Sequence, residues 1–81
     1  MKLLPLTGEL EEYIKTRDLE RKWRKAKKLF EQNRSHPSLN TELLEPKARG
    51  IYSFRLDRKY RVLFFFTPYG AAVFDINNHY K

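Results

Sequence analysis

No cysteine occurs among the 81 residues, which excludes a disulfide framework and a thiolate metal site and leaves the redox compartment open. Long apolar runs are missing too. The longest covers residues 62–66, against the roughly 20 residues of a membrane-crossing helix, so no membrane partner is expected. The opening Met1-Lys2-Leu3-Leu4-Pro5 is too short for a secretory signal, so export is not expected and the cytoplasm is the expected location. Histidine is scarce: His36 and His79 lie far apart in the chain, and with no cysteine beside them they argue against zinc. No metal and no cofactor are expected. No repeat, low-complexity tract or linker interrupts the sequence, which reads as one domain over residues 1–81.

What is present is basic charge and aromatic rings. Apolar residues at 41% and aromatics at 15% suffice for a core and argue against a disordered tail. A chain this short buries only about 60% of its unfolded surface, so its stability margin is thin. The net charge is +7 and the isoelectric point is near 9.9. Such a domain attracts phosphate backbones and releases their counterions on binding. The charge is clustered: residues 1–18 carry −1, residues 19–28 carry +5 and residues 29–81 carry +3. RNA or an RNA-containing assembly is the partner this pattern favours.

The order of elements is α then β. Residues 2–6 are compatible with a short first strand, held to an edge by Pro5. Thr7 suits an N-cap, with Glu9, Glu11 and Glu12 in the first turns, where the helix dipole favours acids. A second helix is expected over residues 18–33, packing Leu19, Trp23, Ala26 and Phe30 inward at helical spacing. Two helices this close form a helical hairpin. Residues 35–50 read as mostly irregular, with His36 a turn residue before Pro37. Strands follow over residues 51–56, 60–67 and 71–77, joined by Asp57-Arg58-Lys59 and Pro68-Tyr69-Gly70. Connections this brief force antiparallel pairing. The expected fold is therefore α+β, an N-terminal helical hairpin packed on a three- to four-stranded antiparallel sheet.

Register then assigns two faces. A three-residue hairpin with Gly70 in the left-handed position sets Thr67 against Ala71 and Arg61 against Asn77. A three-residue connection at Asp57-Arg58-Lys59 sets Leu56 against Tyr60 and Arg55 against Arg61. Side chains alternate along a strand. Tyr52, Phe54, Leu56, Tyr60, Val62, Phe64, Phe66, Ala72, Phe74 and Ile76 then fall on the core face. Ile51, Ser53, Arg55, Arg61, Leu63, Phe65, Val73, Asp75, Asn77 and His79 fall on the open one. Two arginines directly opposite each other destabilise a sheet, and an anion bound between them would account for Arg55 beside Arg61. Guanidinium forks match phosphate oxygens. His79 adds a group that exchanges protons near neutral pH, and Tyr80 an aromatic face. Asp75 is a candidate to orient Arg61.

These residues also carry a family resemblance. His36-Pro37-Ser38-Leu39, the run Gly50-Ile51-Tyr52-Ser53-Phe54-Arg55-Leu56-Asp57-Arg58-Lys59-Tyr60-Arg61-Val62-Leu63-Phe64, and Asp75-Ile76-Asn77-Asn78-His79-Tyr80 resemble the RelE/ParE toxin superfamily. Within it the likeness is to the RelE/YoeB-like messenger-RNA interferases of type II toxin–antitoxin systems. The resemblance implies the RelE-like microbial RNase fold. It also implies a metal-independent, ribosome-dependent endoribonuclease that cleaves mRNA through attack of a 2′-hydroxyl. The partners it implies are mRNA, the ribosome with its rRNA, and a cognate antitoxin protein that joins the monomeric toxin in a hetero-oligomer.

Residue by residue, Arg61 matches the strand arginine that stabilises the transition state, and Arg55 a basic position on the preceding strand. His79-Tyr80 resembles the C-terminal pair of the YoeB branch, where histidine serves in acid–base catalysis. Glu42 lies near an acidic residue used there as base. Ser53 stands where some relatives have a lysine, and Asn78 where others carry histidine or arginine. The candidate catalytic set is thus Arg61, His79, Tyr80 and Arg55. Arg21, Arg24, Lys25, Lys28, Lys47, Arg49, Arg58 and Lys59 are the candidate RNA contacts. Two alternatives stay open on the same fold: a ParE-type gyrase inhibitor, or a non-catalytic, decayed RNA-binding homologue.

Overall fold

The computed structural model describes residues 1–78. Helix α1 (Gly8–Thr16) begins as expected, with Thr7 Oγ1 accepting from the Leu10 N–H at 3.3 Å and Glu9 and Glu11 in the first turn. It closes through paired bonds. The Leu19 N–H donates to the Ile14 carbonyl at 2.9 Å and the Asp18 N–H to the Lys15 carbonyl at 3.2 Å. Asp18 sits at φ 56, the left-handed residue that such a closure needs. That geometry delays α2, which runs Glu20–Gln32 instead of starting at Asp18. Leu19, buried at the cap, still joins the core.

Four strands form one antiparallel sheet in the order β1 (Glu42–Leu43), β2 (Tyr52–Arg55), β3 (Arg61–Thr67) and β4 (Gly70–Asn77). Strand β1 lies in the stretch expected to be irregular, so the fourth strand comes from there. The strand expected over residues 2–6 reduces to a single parallel bridge between Leu3 and Ala71. The Leu4 N–H donates to the Ala71 carbonyl and the Ala71 N–H to the Lys2 carbonyl, both at 2.9 Å. Pro5 has no N–H with which to extend the ladder.

The helices cover one face of the sheet. Phe30 of α2 meets Phe54 and Phe64 at ring-centroid distances of 5.3 and 5.2 Å. Tyr52 and Phe66 continue the cluster along the strands. Trp23 stacks on Phe54 at 6.4 Å, a packing role as its helical spacing implied. Leu3, Ile14, Leu39, Val62 and Ile76 complete the buried set.

Between β2 and β3 the register is the expected one. Leu56 donates to the Tyr60 carbonyl at 2.9 Å, and Arg55 faces Arg61. Asp57 Oδ1 accepts from the Lys59 and Tyr60 N–H groups at 2.8 and 2.7 Å, which closes the connection.

Between β3 and β4 the register departs from expectation. Arg61 faces Asn77 as expected, but Thr67 faces Gly70, not Ala71. The turn is therefore two residues, Pro68-Tyr69, with Thr67 Oγ1 accepting from the Tyr69 and Gly70 N–H groups. The difference of one is absorbed where Leu63 faces Asp75 while Phe64 faces Val73. Phe74 is the extra residue of a bulge. Beyond it the faces exchange. Ala71 (0% exposed) and Val73 (9%) enter the core, and Phe74, expected there, stands 44% exposed. Gly70 also has a different role from the one expected. Its φ is 146, and a Cβ would stand 2.6 Å from the Lys2 carbonyl oxygen. The glycine admits the N-terminal segment to the sheet edge.

Candidate active site

On the face away from the helices, Arg61 starts from β3 directly opposite Arg55 on β2. Its side chain crosses β2 toward β1. Nε and Nη2 donate to Ser53 Oγ at 3.1 and 2.6 Å, and Nη2 also donates to the Asn40 carbonyl at 3.2 Å. The same Nη2 lies 3.2 Å from Glu42 Oε2.

This corrects three expectations. Arg61 does not lie open to water: it is 4% exposed, over a Ser53 that is 1% exposed. A buried guanidinium needs both pairing and hydrogen bonds to offset its desolvation, and these three partners supply them at Nε and Nη2. The anion beside Arg61 comes from within the chain, as the Glu42 carboxylate. Nor is Asp75 the orienting carboxylate, since it accepts from Asn77 Nδ2 at 2.9 Å.

Local backbone explains how the partners arrive. Glu42 faces Ser53 in the β1–β2 ladder, so both side chains fall on the face that carries Arg61. Asn40 caps a short 3₁₀ turn, Pro37–Leu39, in the left-handed conformation (φ 47, ψ 52). Asparagine tolerates that region better than most residues. The turn starts at His36, whose Nδ1 accepts from the Ser38 N–H at 3.1 Å, so His36 is a turn residue as expected. Leu39, 1% exposed, pins the segment to the core. Sequence reasoning missed Asn40 and Ser53 and placed Glu42 only loosely. The available signals were a small hydroxyl at an alternate position on the arginine face and an asparagine just after a Pro-Ser turn.

Glu42 keeps its side chain 47% exposed, while that of Arg61 is 5% exposed. The site therefore joins a fixed cation to a carboxylate within reach of solvent. Arg55 is half-buried beside it. His79 and Tyr80 lie outside the described residues, two and three positions beyond Asn77, the register partner of Arg61. Among the described residues no group of three His, Asp or Glu side chains is placed to hold a metal.

The basic candidates separate into two clusters. Arg21, Arg24, Lys25 and Lys28 are exposed along α2. Lys22 of that helix bonds Asp57 at 2.7 Å, which draws the exposed Arg58 and Lys59 toward the same side. Lys47 and Arg49, also exposed, belong to a 3₁₀ turn between β1 and β2. They stand at the opposite end of β2 from Arg58.

No family model matches the sequence, and no curated protein matches it either. Solved structures match the fold over nearly its whole length, three of them at 18% identity each. The YoeB dimer from Staphylococcus aureus gives a TM-score of 0.71 over 98% of this chain and 94% of that one. The YoeB/ParE toxin from Agrobacterium tumefaciens gives 0.71 over 99% and 100%. The YoeB–YefM complex from S. aureus gives 0.68 over 98% and 94%. The helical hairpin on a four-stranded antiparallel sheet is thus an α+β fold shared with these YoeB and YoeB/ParE structures.

Proposed function

We propose that the chain is the toxin of a toxin–antitoxin pair and acts as a metal-independent endoribonuclease on mRNA held in the ribosome. One observation carries the reading: a buried, three-fold-anchored Arg61 guanidinium lies 3.2 Å from the accessible Glu42 carboxylate, on the open face of a YoeB-like sheet. Phosphodiester cleavage by an internal nucleophile needs those two functions side by side. Glu42 takes the proton of the 2′-hydroxyl, and the oxygen attacks the adjacent phosphorus. Arg61 stabilises the charge that gathers on the phosphorane oxygens, a fixed electrostatic contribution that needs no reorganisation. The 5′-oxygen leaves with a proton from His79, giving a 2′,3′-cyclic phosphate and a 5′-hydroxyl. Each proton transfer is worth roughly 10²- to 10⁴-fold in rate.

Arg55 and the exposed basic residues of α2 and the Arg58-Lys59 turn supply a phosphate-attracting surface for RNA. The YefM complex of the S. aureus neighbour supports an antitoxin as the protein partner. Binding of that partner would stabilise a small domain by mass action.

The test is to induce the wild type beside Glu42→Gln, Arg61→Ala and His79→Ala and to map mRNA 5′ ends. Growth arrest with new 5′-hydroxyl ends, absent in all three variants, is the expected result. Arrest with altered DNA supercoiling and no new ends would replace it with a gyrase-directed reading.

A further inference from the structure

The β4 bulge moves Phe74 out of the core and sets it beside Phe65, with ring centroids 5.9 Å apart and planes tilted by 39°. Both rings are largely open, at 41% and 44% exposure. Two adjacent exposed phenylalanines on so small a domain call for a partner, and a bulge that turns a side chain outward is a feature of a site more often than a defect.

Phe65 shares its face with Arg61, four residues away on the unbulged strand β3. The Arg61 guanidinium folds back over Ser53, which faces Leu63. The Phe65 ring therefore stands roughly 7 Å along the sheet from the guanidinium and one strand over, roughly 5 Å across it. That is the reach from a phosphate to the base of a neighbouring nucleotide in an extended strand. Charge sorts the occupants as well. Arg55 and Arg61 draw phosphates to the β1–β2 side of the face, while Asp75 on β4, opposite Leu63, repels them from the side that carries the two rings. A base suits that side, because its amino groups can donate to a carboxylate and its π-face stacks on an aromatic side chain.

We infer that Phe65 and Phe74 form a base-stacking subsite for an unpaired nucleotide next to the phosphate held at Arg61. The inference rests on the nuclease reading and adds to it a residue-level account of how the RNA strand is held. Stacking on such a platform contributes roughly 5- to 100-fold in affinity per base. Both rings are surface groups, so their replacement leaves the fold intact, checked by an unchanged melting temperature.

The experiment uses the full chain and two probes. The first is a set of short single-stranded RNAs, 2′-O-methylated at one linkage, with 2-aminopurine placed in turn at each flanking position. The second is programmed ribosomes carrying mRNA with or without an abasic nucleotide beside the cut. Phe65→Ala/Phe74→Ala is expected to abolish the 2-aminopurine signal at one flanking position and to slow cleavage about tenfold. It should cost nothing further on the abasic mRNA, and Phe65→Trp should restore both readouts. Wild-type cleavage that the double variant leaves unchanged, or slows equally on intact and abasic mRNA, overturns the subsite and spares the nuclease reading. Loss of self-association or of antitoxin binding, with RNA readouts untouched, overturns it in favour of a protein-docking face. Ring-dependent RNA binding without any cleavage keeps the subsite and removes the nuclease. Neither binding nor cleavage by the wild type removes both.

Discussion

Arg61 and Glu42 meet at 3.2 Å from strands that are not neighbours, with β2 and its Ser53 between them. The pair is unequal. The guanidinium is almost wholly buried and the carboxylate is half in water. Removing either partner therefore has different consequences.

Glu42→Ala leaves a buried cation with less compensation, which costs about 1–3 kcal/mol of stability. Arg61→Met leaves a carboxylate that water can solvate, but it strands the buried Ser53 hydroxyl, so it is expected to cost about 1–3 kcal/mol for a different reason. Arg61→Met/Ser53→Ala removes the stranded hydroxyl as well and should recover part of that loss. Urea denaturation of these variants gives the comparison. A double variant no more stable than Arg61→Met would show that the buried hydroxyl is not what the arginine satisfies.

Asn40 presents its carbonyl to Arg61 from a left-handed backbone. Asn40→Ala is expected to cost about 1 kcal/mol from the conformational penalty alone, and Asn40→Gly to recover it. Cleavage should fall in the alanine variant more than in the glycine variant. The same order in melting temperature is the check.

Gly70→Ala forces a methyl group to within 2.6 Å of the Lys2 carbonyl oxygen at φ 146. The expected outcome is loss of the Leu3–Ala71 bridge and destabilisation of about 1–3 kcal/mol. Hydrogen exchange reads this directly, because the Leu4 and Ala71 amides donate across that junction and should lose protection before the β2–β3 ladder does.

Asp57 gives a pH prediction. Burial pushes its carboxyl up, but the Lys22 ammonium and the Tyr60 and Lys59 N–H groups outweigh this and hold it below its usual 3.8. A lowered carboxylate adds stability that is fully present above its unfolded pKa and is lost as the pH falls through its folded value. The wild type should therefore shed stability below about pH 4 in part through this group. Asp57→Asn keeps the turn acceptor and drops the charge, so it should lose about 0.5–1 kcal/mol at neutral pH and show a shallower decline in acid. Thermal melts between pH 3 and 7 make the comparison. Parallel curves for the two proteins would count against it.

The sequence by itself determined the class of fold, the helical hairpin, the β2–β3 register and the placing of Arg55 opposite Arg61. Those follow from local signals: Thr7 as a cap, helical spacing from Trp23 to Phe30, alternation through Arg61-Val62-Leu63-Phe64, and a turn that Asp57 closes on its own backbone. Tertiary structure decided the rest. Strand β1 is two residues long and exists only because β2 offers it a ladder. The bulge that exposes Phe74 results from a two-residue turn and from the N-terminal segment crossing at Gly70, more than sixty residues away in sequence. The depth of Arg61 depends on the Asn40–Glu42 stretch and Ser53 converging on it from separate parts of the chain. Alternation says which way a side chain points, but only packing between distant segments says whether water can reach it.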